Sequence, residues 1–441
     1  MKKRSLLFSL LFIVQGCTTY GNPSNQKLSK AEPSSDYSYH NSVARYNTGD
    51  AMISVAMSGG GARASAFAFG VLQGLKQAQQ LKEVDHISSV SGGSFTAAYY
   101  GLYGDKIFTD FEQDFLYDDV NRSLLKRVLS PRRWFSDTGV TDEAIGYYQE
   151  KLFKGATFAD MNQQNLPFIT INATDLATGV RFSFVQEYFD LLCSDLAHYP
   201  VADAVAASAA VPVLFNPVVL KNHHGCGMQY LKTSASKNQL NTIDRSTIAG
   251  LKSYADKEKR QYLHLVDGGI TDNLGLFALY DLNIIKGAEE GLSFEPSLKA
   301  MPHVVLISID ASTTPDNTMG QTTEKPTVAA TVSLMTDTQL HRYNDLTKNL
   351  IKESLYEHSA LSQKTARPYS AYFIDINLSD VENAQKKHFL NNIPTSLHID
   401  EAQVKALIEE GKNQLLTNPE FKRYLHNSRK LTKVTRHYKN P

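Results

Sequence analysis

The stretch Ile87-Ser88-Ser89-Val90-Ser91-Gly92-Gly93-Ser94 joins an apolar, β-prone segment to residues 95–100, which have helical character. This order is typical of a nucleophile elbow, in which a strand turns sharply into a helix and exposes a serine hydroxyl at the turn. The usual elbow pattern is Gly-x-Ser-x-Gly. Here Gly93 supplies the second glycine, and the small residue Ser89 takes the place of the first. The pattern predicts Ser91 as a nucleophile, although a glycine-rich helix N-terminus without catalytic function has the same composition.

A second glycine-rich turn precedes the elbow by about 30 residues. The apolar run at residues 51–57 predicts a buried strand, and Gly59-Gly60-Gly61 leads from it into a segment with apolar residues at helical spacing. Backbone N–H groups at such a helix N-terminus can bind a phosphate, a dinucleotide or a developing oxyanion. The spacing matches neither the Gly-Lys-Ser/Thr phosphate loop nor the Gly-x-Gly-x-x-Gly dinucleotide fingerprint. The run therefore predicts an oxyanion hole formed by Gly59, Gly60 and Gly61.

A third turn follows the strand predicted at residues 262–266, which ends in Asp267-Gly268-Gly269. Open α/β sheets place functional groups at the carboxyl ends of their strands, so Asp267 is a candidate base. An aspartate at this position can equally serve as a turn or helix-capping residue.

Strand-like and helix-like segments alternate along the rest of the chain. Further strands are predicted at residues 167–173, 180–185, 304–309 and 372–376, and further helices at residues 201–212, 327–357 and 400–426. This alternation predicts an α/β domain over residues 49–441, with its motifs in residues 52–280 and a helical C-terminal extension.

The composition is that of an ordinary globular protein. The 441 residues are 42% hydrophobic and 20% charged, and 45 basic residues balance 45 acidic ones. Because the formal net charge is zero, the sequence gives no reason to expect a nucleic-acid partner.

The N-terminus has the pattern of a signal peptide. Lys2-Lys3-Arg4 precedes an apolar run, residues 6–14, which is too short to cross a hydrocarbon core of about 30 Å. The following Val14-Gln15-Gly16-Cys17 resembles a bacterial lipoprotein lipobox. That resemblance implies a signal peptide over residues 1–16, a lipidated Cys17 and, since Thr18 and not aspartate follows, an outer-membrane location facing the periplasm. An ordinary signal peptide cleaved elsewhere is the alternative.

Two further segments bear on membrane contact. Residues 17–48, rich in Ser, Asn, Tyr and Pro, predict a flexible tether with an average reach of roughly 30 Å. The basic and aromatic residues 124–135 predict contact with lipid headgroups or a cover over the active site, unless they form a packed helix pair with a solvated face.

With Cys17 as the anchor, Cys193 and Cys226 remain. In an oxidising periplasm they can pair and close a loop of roughly 30 residues, or they can remain separate buried thiols. Their spacing fits no zinc motif, and no metal site is predicted.

Taken in order, the glycine run 59–61, the Ser91 elbow and Asp267-Gly268-Gly269 resemble the motifs of patatin-like phospholipases and of the related cytosolic phospholipase A2 catalytic domain. The resemblance covers roughly residues 52–280. It implies a three-layer α/β/α fold with a mainly parallel central sheet and helical insertions. Two positions depart from the patatin pattern, because Ser89 and Ala64 stand where glycine is usual.

The resemblance also implies a mechanism. Ser91 would attack the ester carbonyl of a phospholipid or lysophospholipid, and Asp267 would accept its proton without a histidine. The glycine run would stabilise the oxyanion, and no cofactor is required. Supporting roles are implied for Arg63, Gly93, Gly268 and Gly269, with Arg63 orienting the glycine loop, facing the lipid phosphate or forming an ion pair.

Three alternatives remain open at this stage. An ordinary α/β-hydrolase would add a histidine such as His303 to the serine and aspartate. A non-catalytic envelope lipoprotein would use the fold to bind lipid or protein. An acyltransferase would pass the acyl group to an acceptor other than water.

Overall fold

The computed structural model describes residues 21–28, 37–39, 41, 50–128, 139–163, 165–212, 214–226, 242–278, 302–314 and 318–438. The strands in these ranges are β1 Gln26–Lys27, β2 Ala51–Met57, β3 Val84–Val90, β4 Phe168–Asp175, β5 Val180–Ser183, β6 Ser194–Asp195, β7 Val218–Lys221, β8 Tyr262–Asp267, β9 His303–Asp310 and β10 Ser370–Asn377. The first α-helices are α1 Gly61–Gln77, α2 Gly92–Tyr103, α3 Ile107–Phe111, α4 Val120–Val128, α5 Val140–Tyr148, α6 Phe158–Met161 and α7 Gln186–Leu191. The later ones are α8 Val201–Ser208, α9 Thr242–Lys252, α10 Gly269–Asp272, α11 Val328–Ser362, α12 Ala384–Asn391, α13 Glu401–Thr417 and α14 Pro419–Tyr438.

Eight of the described strands form one sheet. Its order is β10-β9-β2-β3-β4-β8-β7, and β5 also pairs with β4. All neighbours from β10 to β4 are parallel, whereas β5, β7 and β8 join in antiparallel pairs. The prediction of a mainly parallel central sheet is therefore confirmed.

Side chains of the parallel strands alternate between two apolar layers. On β9, Val305 and Ile307 pack with residues of α1, α2 and α13, whereas Val304 and Leu306 pack with α11 on the opposite face. Successive strand residues point to opposite faces of a sheet, so an almost continuous apolar strand indicates burial on both sides. The sheet thus lies between two helical layers, and the predicted three-layer α/β/α fold is confirmed.

The C-terminal region belongs to this core. Helix α13 packs along α1, the helix that follows the glycine run. A Cβ added to Gly70 would lie 2.1 Å from the carbonyl oxygen of Ile408, and one added to Gly411 would lie 2.3 Å from that of Phe67. The two helix backbones therefore touch at this crossing, which only glycine permits on either helix.

We expect G411A to destabilise the fold by about 1–3 kcal/mol, the usual range for an extra methyl group in a packed interior. The added carbon would push α13 away from α1. Chemical denaturation measures the effect. The control is K412A at the half-buried neighbouring position on α13, which we expect to change stability by less than about 0.5 kcal/mol. Equal stability of G411A and wild type would contradict the close crossing.

The N-terminal segment is not a free tether over its whole length. Strand β1 pairs with β6, and the buried Asn25 makes hydrogen bonds of 2.8 and 2.9 Å with the backbone of Lys221. Further along, the buried Tyr37 donates to the carbonyl of Ile169 at 2.8 Å. The tether prediction for residues 17–48 is therefore wrong for residues 21–28 and for Tyr37, because their polar groups find partners on the domain.

A disulfide joins Cys193 to Cys226, whose Cα atoms are 5.4 Å apart. The bridge connects the turn after α7 to the segment that follows β7. The sequence allowed these cysteines to be either paired or separate thiols, and in the structure they are paired.

Candidate active site

The candidate site lies where the ends of β3 and β8 meet. Both strands pair with the same edge of β4. At the residues of β4 where β3 and β8 end, β5 occupies the opposite edge. The parallel β3 ends at the pair Val90–Asn172, and the antiparallel β8 ends at the pair Asp267–Ala173. Ser91 and Asp267 therefore meet at the junction. Asp267 ends β8, as the sequence predicted, but β8 is antiparallel to β4, so the sequence did not predict how this strand end reaches Ser91.

Ser91 occupies a strained turn between β3 and α2. Its φ is 49° and its ψ is −119°, and α2 begins at the next residue. Non-glycine residues rarely adopt a positive φ, and a strained strand-to-helix turn is the geometry of a nucleophile elbow. The Ser91 hydroxyl donates to Oδ2 of Asp267 across 2.8 Å. This serine is thus hydrogen-bonded to a carboxylate that can act as its base.

Small polar side chains fill the space beneath the elbow. The N–H of Ser91 donates to Oγ of Ser208 at 2.8 Å. Ser89 is fully buried, and its hydroxyl donates to the carbonyl of Thr170 at 3.2 Å. The Oγ of Ser94 lies 3.1 Å from that of Ser89 and 3.0 Å from that of Ser208. The serine in place of the usual elbow glycine is thus accommodated by hydrogen bonds in a polar pocket under the turn.

Asp267 is buried and held by two hydrogen bonds. Its Oδ1 accepts from the N–H of Gly269 at 2.8 Å, and its Oδ2 accepts from Ser91. Burial raises the pKa of Asp267 to about 6, while the hydrogen bonds from Gly269 and Ser91 act in the opposite direction. A base with a pKa near the working pH is suited to proton transfer. Within the described ranges, neither Ser91 nor Asp267 is hydrogen-bonded to a histidine.

The glycine run lies against the elbow. Gly60 and Gly61 have φ values of 134° and 62°, which glycine adopts without strain. Their N–H groups have no acceptor in the part of the chain that the structure describes, whereas the N–H of Gly59 donates to the carbonyl of Asn273 at 3.0 Å. The prediction of Gly59 as an oxyanion donor is therefore wrong, because its N–H group already donates a hydrogen bond to Asn273. Gly60 and Gly61 remain as candidate donors.

Gly92 is a candidate donor that sequence analysis missed. A Cβ added to Gly92 would lie 2.1 Å from the carbonyl oxygen of Gly61, so the elbow and the glycine run touch through backbone atoms. In nucleophile elbows the N–H of the residue after the nucleophile contributes to the oxyanion hole. The position of Gly92 directly after Ser91 was the signal in the sequence.

Arg63 supports the glycine run from within the protein. It is 5% exposed, and its guanidinium donates to the carbonyls of Ala311 at 3.0 Å and Ile393 at 2.7 Å. Burial lowers its pKa to about 10, although the charge of Asp310 acts in the opposite direction. Of the three roles that the sequence left open, orientation of the loop fits this geometry, whereas contact with a lipid phosphate does not.

The other supporting residues join the three turns together. The N–H of Gly93 donates to the carbonyl of Ser58 at 3.2 Å, and that of Gly268 donates to the carbonyl of Ser208 at 3.1 Å. Asn273 was missed by sequence analysis. Its carbonyl oxygen fixes the glycine run, and this contact joins segments more than two hundred residues apart, for which the sequence contains no local signal.

His303 lies far from the dyad. It begins β9 beside Ala51, whereas Met57, at the other end of β2, leads to the glycine run. Six residues of strand span about 20 Å. His303 contacts Tyr372 instead, with its Nδ1 3.3 Å from the tyrosine oxygen. The His303 triad is therefore excluded by position.

Several sequence predictions fall partly or wholly outside the described residues. They include the prediction for Cys17 and that for residues 129–135 of the basic and aromatic segment. Leu124, the first residue of that segment, is described and is buried in α4. In the described ranges, no cluster of three or more His, Cys, Asp or Glu side chains is arranged to hold a metal ion. None of the described helices combines the length and the apolar character needed to cross a membrane.

The model of the Patatin-like phospholipase family matches residues 55–280 of the chain. Among solved structures, human GIVD cytosolic phospholipase A2 is similar, with 13% identity and a TM-score of 0.44 over 89% of this chain and 65% of that one. VipD from Legionella pneumophila is 10% identical, with a TM-score of 0.31 over 95% of this chain and 73% of its own. The chain thus spans less than two thirds of the human enzyme. No curated protein sequence matches it.

The matched residues make up just over half of the chain and include all three turns that meet at the candidate site. The chain belongs to the patatin-like phospholipases, a family of lipid acyl hydrolases.

Proposed function

We propose that the protein is a serine acyl hydrolase that releases fatty acid from phospholipid or lysophospholipid esters through a dyad of Ser91 and Asp267. The observation that carries the proposal is the 2.8 Å hydrogen bond between the elbow serine and a buried carboxylate. The N–H groups of Gly60 and Gly61, which lie beside the elbow and have no acceptor among the described residues, support it.

In the first half of the reaction, Ser91 Oγ forms a bond to the ester carbonyl carbon while its proton moves to Oδ2 of Asp267. The carbonyl oxygen becomes negative, and donors in an oxyanion hole stabilise such a charge by about 3–4 kcal/mol each. The Asp267 proton then passes to the departing alcohol as the ester bond breaks, leaving an acyl-serine.

In the second half, Asp267 accepts a proton from water as the water oxygen attacks the acyl carbon. The tetrahedral intermediate breaks its bond to Ser91 Oγ, which takes the proton back from Asp267. The products are free fatty acid and the enzyme in its starting state.

Product analysis tests this proposal. Phosphatidylethanolamine and its lyso form, supplied in mixed micelles with glycerol, should yield free fatty acid. Fatty-acyl glycerol as the main product would identify an acyltransferase, and no turnover of either lipid would favour a non-catalytic binding function.

The N-terminal sequence supports a further part of the proposal, namely acylation of Cys17 after removal of residues 1–16 and residence at the outer membrane facing the periplasm. Mass spectrometry of the mature N-terminal peptide and membrane fractionation test both points. A mature chain that begins elsewhere than Cys17 would contradict this part.

The pKa of Asp267 predicts the pH dependence of hydrolysis. Because burial raises that pKa to about 6, the carboxylate is protonated and unable to act as a base below this pH. We expect kcat/KM to rise about tenfold per pH unit below pH 6 and to level off above it. A profile that is flat from pH 4.5 to 8 on a soluble ester would contradict the role of Asp267.

A further inference from the structure

The N-terminal segment fixes how far a lipid anchor at Cys17 can lie from the domain. Gly21 contacts the side chain of Val219 on β7, since a Cβ added to this glycine would lie 2.2 Å from Cγ2 of the valine. Three residues lie between Cys17 and Gly21, so the two Cα atoms are four residue steps apart and at most about 14 Å from each other when the chain is fully extended. An anchor at Cys17 would therefore hold the bilayer next to β7.

The face of the sheet at β7 carries exposed side chains. Paired strand residues point to the same face, and Val219 pairs with His264 while Lys221 pairs with Tyr262. The N–H of Leu176, just beyond the end of β4, donates to the carbonyl of His264 at 2.9 Å. We call this surface the outer face, and its members are Leu176, Val219, Lys221, Tyr262 and His264.

The opposite side chains of the same strands point into the core. Leu220, Leu263 and Leu265 are fully buried, whereas Lys221, Tyr262 and His264 are exposed. Where Lys221, Tyr262 and His264 lie, one face of the sheet is therefore exposed and the other face is buried. Two large apolar side chains are exposed on the outer face, Leu176 at 54% and Tyr262 at 46%.

The outer face begins close to the dyad. His264 precedes Asp267 by three residues of strand, which is about 10 Å. On the other side of Asp267, Ile270 is 51% exposed. The hydroxyl of its neighbour Thr271 lies 2.9 Å from that of Thr174, whose side chain points to the same face as Leu176. Exposed apolar groups thus lie on both sides of the candidate base.

Positively charged side chains lie near residues 21–28 of the N-terminal segment, which contact β7. Lys27 and Lys221 are exposed and form no ion pair within the described residues. Burial lowers the pKa of His223, its hydrogen bond with the carbonyl of Asn25 acts in the opposite direction, and the nearby charges of Lys221, Lys27 and Lys257 lower it further. Lysines beside exposed apolar side chains are suited to the anionic headgroups and acyl boundary of a bilayer.

We propose that the outer face, together with Ile270 and Lys27, docks on the anionic lipid bilayer that carries the Cys17 anchor. This inference rests on the proposed function and on acylation of Cys17. It adds the orientation: the bilayer lies against β7 and β8 at the end of the sheet that holds Asp267. It also replaces residues 124–135 as the segment expected to contact lipid.

Tryptophan quenching tests the orientation in the full-length, membrane-anchored protein. In a W134F/S91A background, which has no other tryptophan and hydrolyses no vesicle lipid, single tryptophans are introduced as L176W or Y262W. The controls are L361W and F389W, at exposed apolar positions outside the outer face. The vesicles contain phosphatidylglycerol and phosphatidylethanolamine with brominated acyl chains.

We expect bromolipid to quench the L176W and Y262W emission by about half or more, and to leave the two controls almost unchanged. The charge reversal K27E/K221E should weaken the quenching of L176W about threefold or more, whereas K364E/K387E, at exposed lysines elsewhere, should not. Equal quenching at all four positions, or none at L176W and Y262W, would overturn the proposal. Hydrolysis of a soluble ester by the protein with Ser91 intact is measured separately, so failure of the proposed function is distinguished from failure of the orientation.

Discussion

Replacing Ser91 with alanine is expected to lower kcat for phospholipid hydrolysis by about 10⁴-fold or more, because the acyl-serine cannot form. The fold should survive. Alanine fits the same space, and the N–H of residue 91 still donates to Ser208. Release of fatty acid measures the activity, and thermal unfolding verifies the fold.

S94A is the matched control. Ser94 is equally a small buried hydroxyl of the elbow, but its contacts are with Ser89 and Ser208 and not with Asp267. We expect S94A to keep activity within about tenfold while losing about 1 kcal/mol of stability with its hydrogen bond. Activity in S91A close to that of S94A would refute Ser91 as the nucleophile.

The second large effect is expected for D267N, which should lower kcat by about 10³-fold or more while making the protein more stable. Burial raises the pKa of Asp267 from 3.8 to about 6, so the folded state binds a proton more tightly than the unfolded chain does. Wild-type stability should therefore fall as the pH rises from about 4 to about 6, and remain at the lower value above that range. The neutral asparagine avoids this loss, which corresponds to about 3 kcal/mol at pH 7.

Chemical denaturation at pH 4 and pH 7 tests the stability half of this prediction. D267N and wild type should be close at pH 4 and differ at pH 7 in favour of D267N. If Asp267 had a purely structural role, its substitution would make the protein less stable at both pH values. H303Q is the control for activity, because its distance from the dyad predicts hydrolysis within about twofold of wild type. A collapse of hydrolysis in H303Q would restore the triad alternative.

Much of the site could be predicted from local sequence. The apolar runs before Gly59, Ser91 and Asp267 each predicted a buried strand, and the small residues after them predicted sharp turns. These signals are local because strand burial and turn conformation depend on a few adjacent side chains. For the same reason the strands predicted at residues 51–57 and 262–266 have bounds close to those of β2 and β8.

What the sequence did not reveal depends on contacts between distant segments. The antiparallel direction of β8 follows from its pairing with Ala173 and not from its own residues. The use of the Gly59 N–H depends on Asn273, and the docking of the N-terminal segment depends on Asn25 meeting Lys221. In a polar segment without apolar period, a buried asparagine is indistinguishable in sequence from one in a flexible tether.

Ser91 is proposed to be a nucleophile that Asp267 activates. Labelling the full-length protein with a fluorophosphonate and mapping the modified peptide by mass spectrometry tests it most directly, because this reagent phosphonylates activated serines. We expect one adduct on Ser91, no adduct in S91A and strongly slowed labelling in D267N. Labelling of a different serine, or of Ser91 at an undiminished rate in D267N, would contradict it.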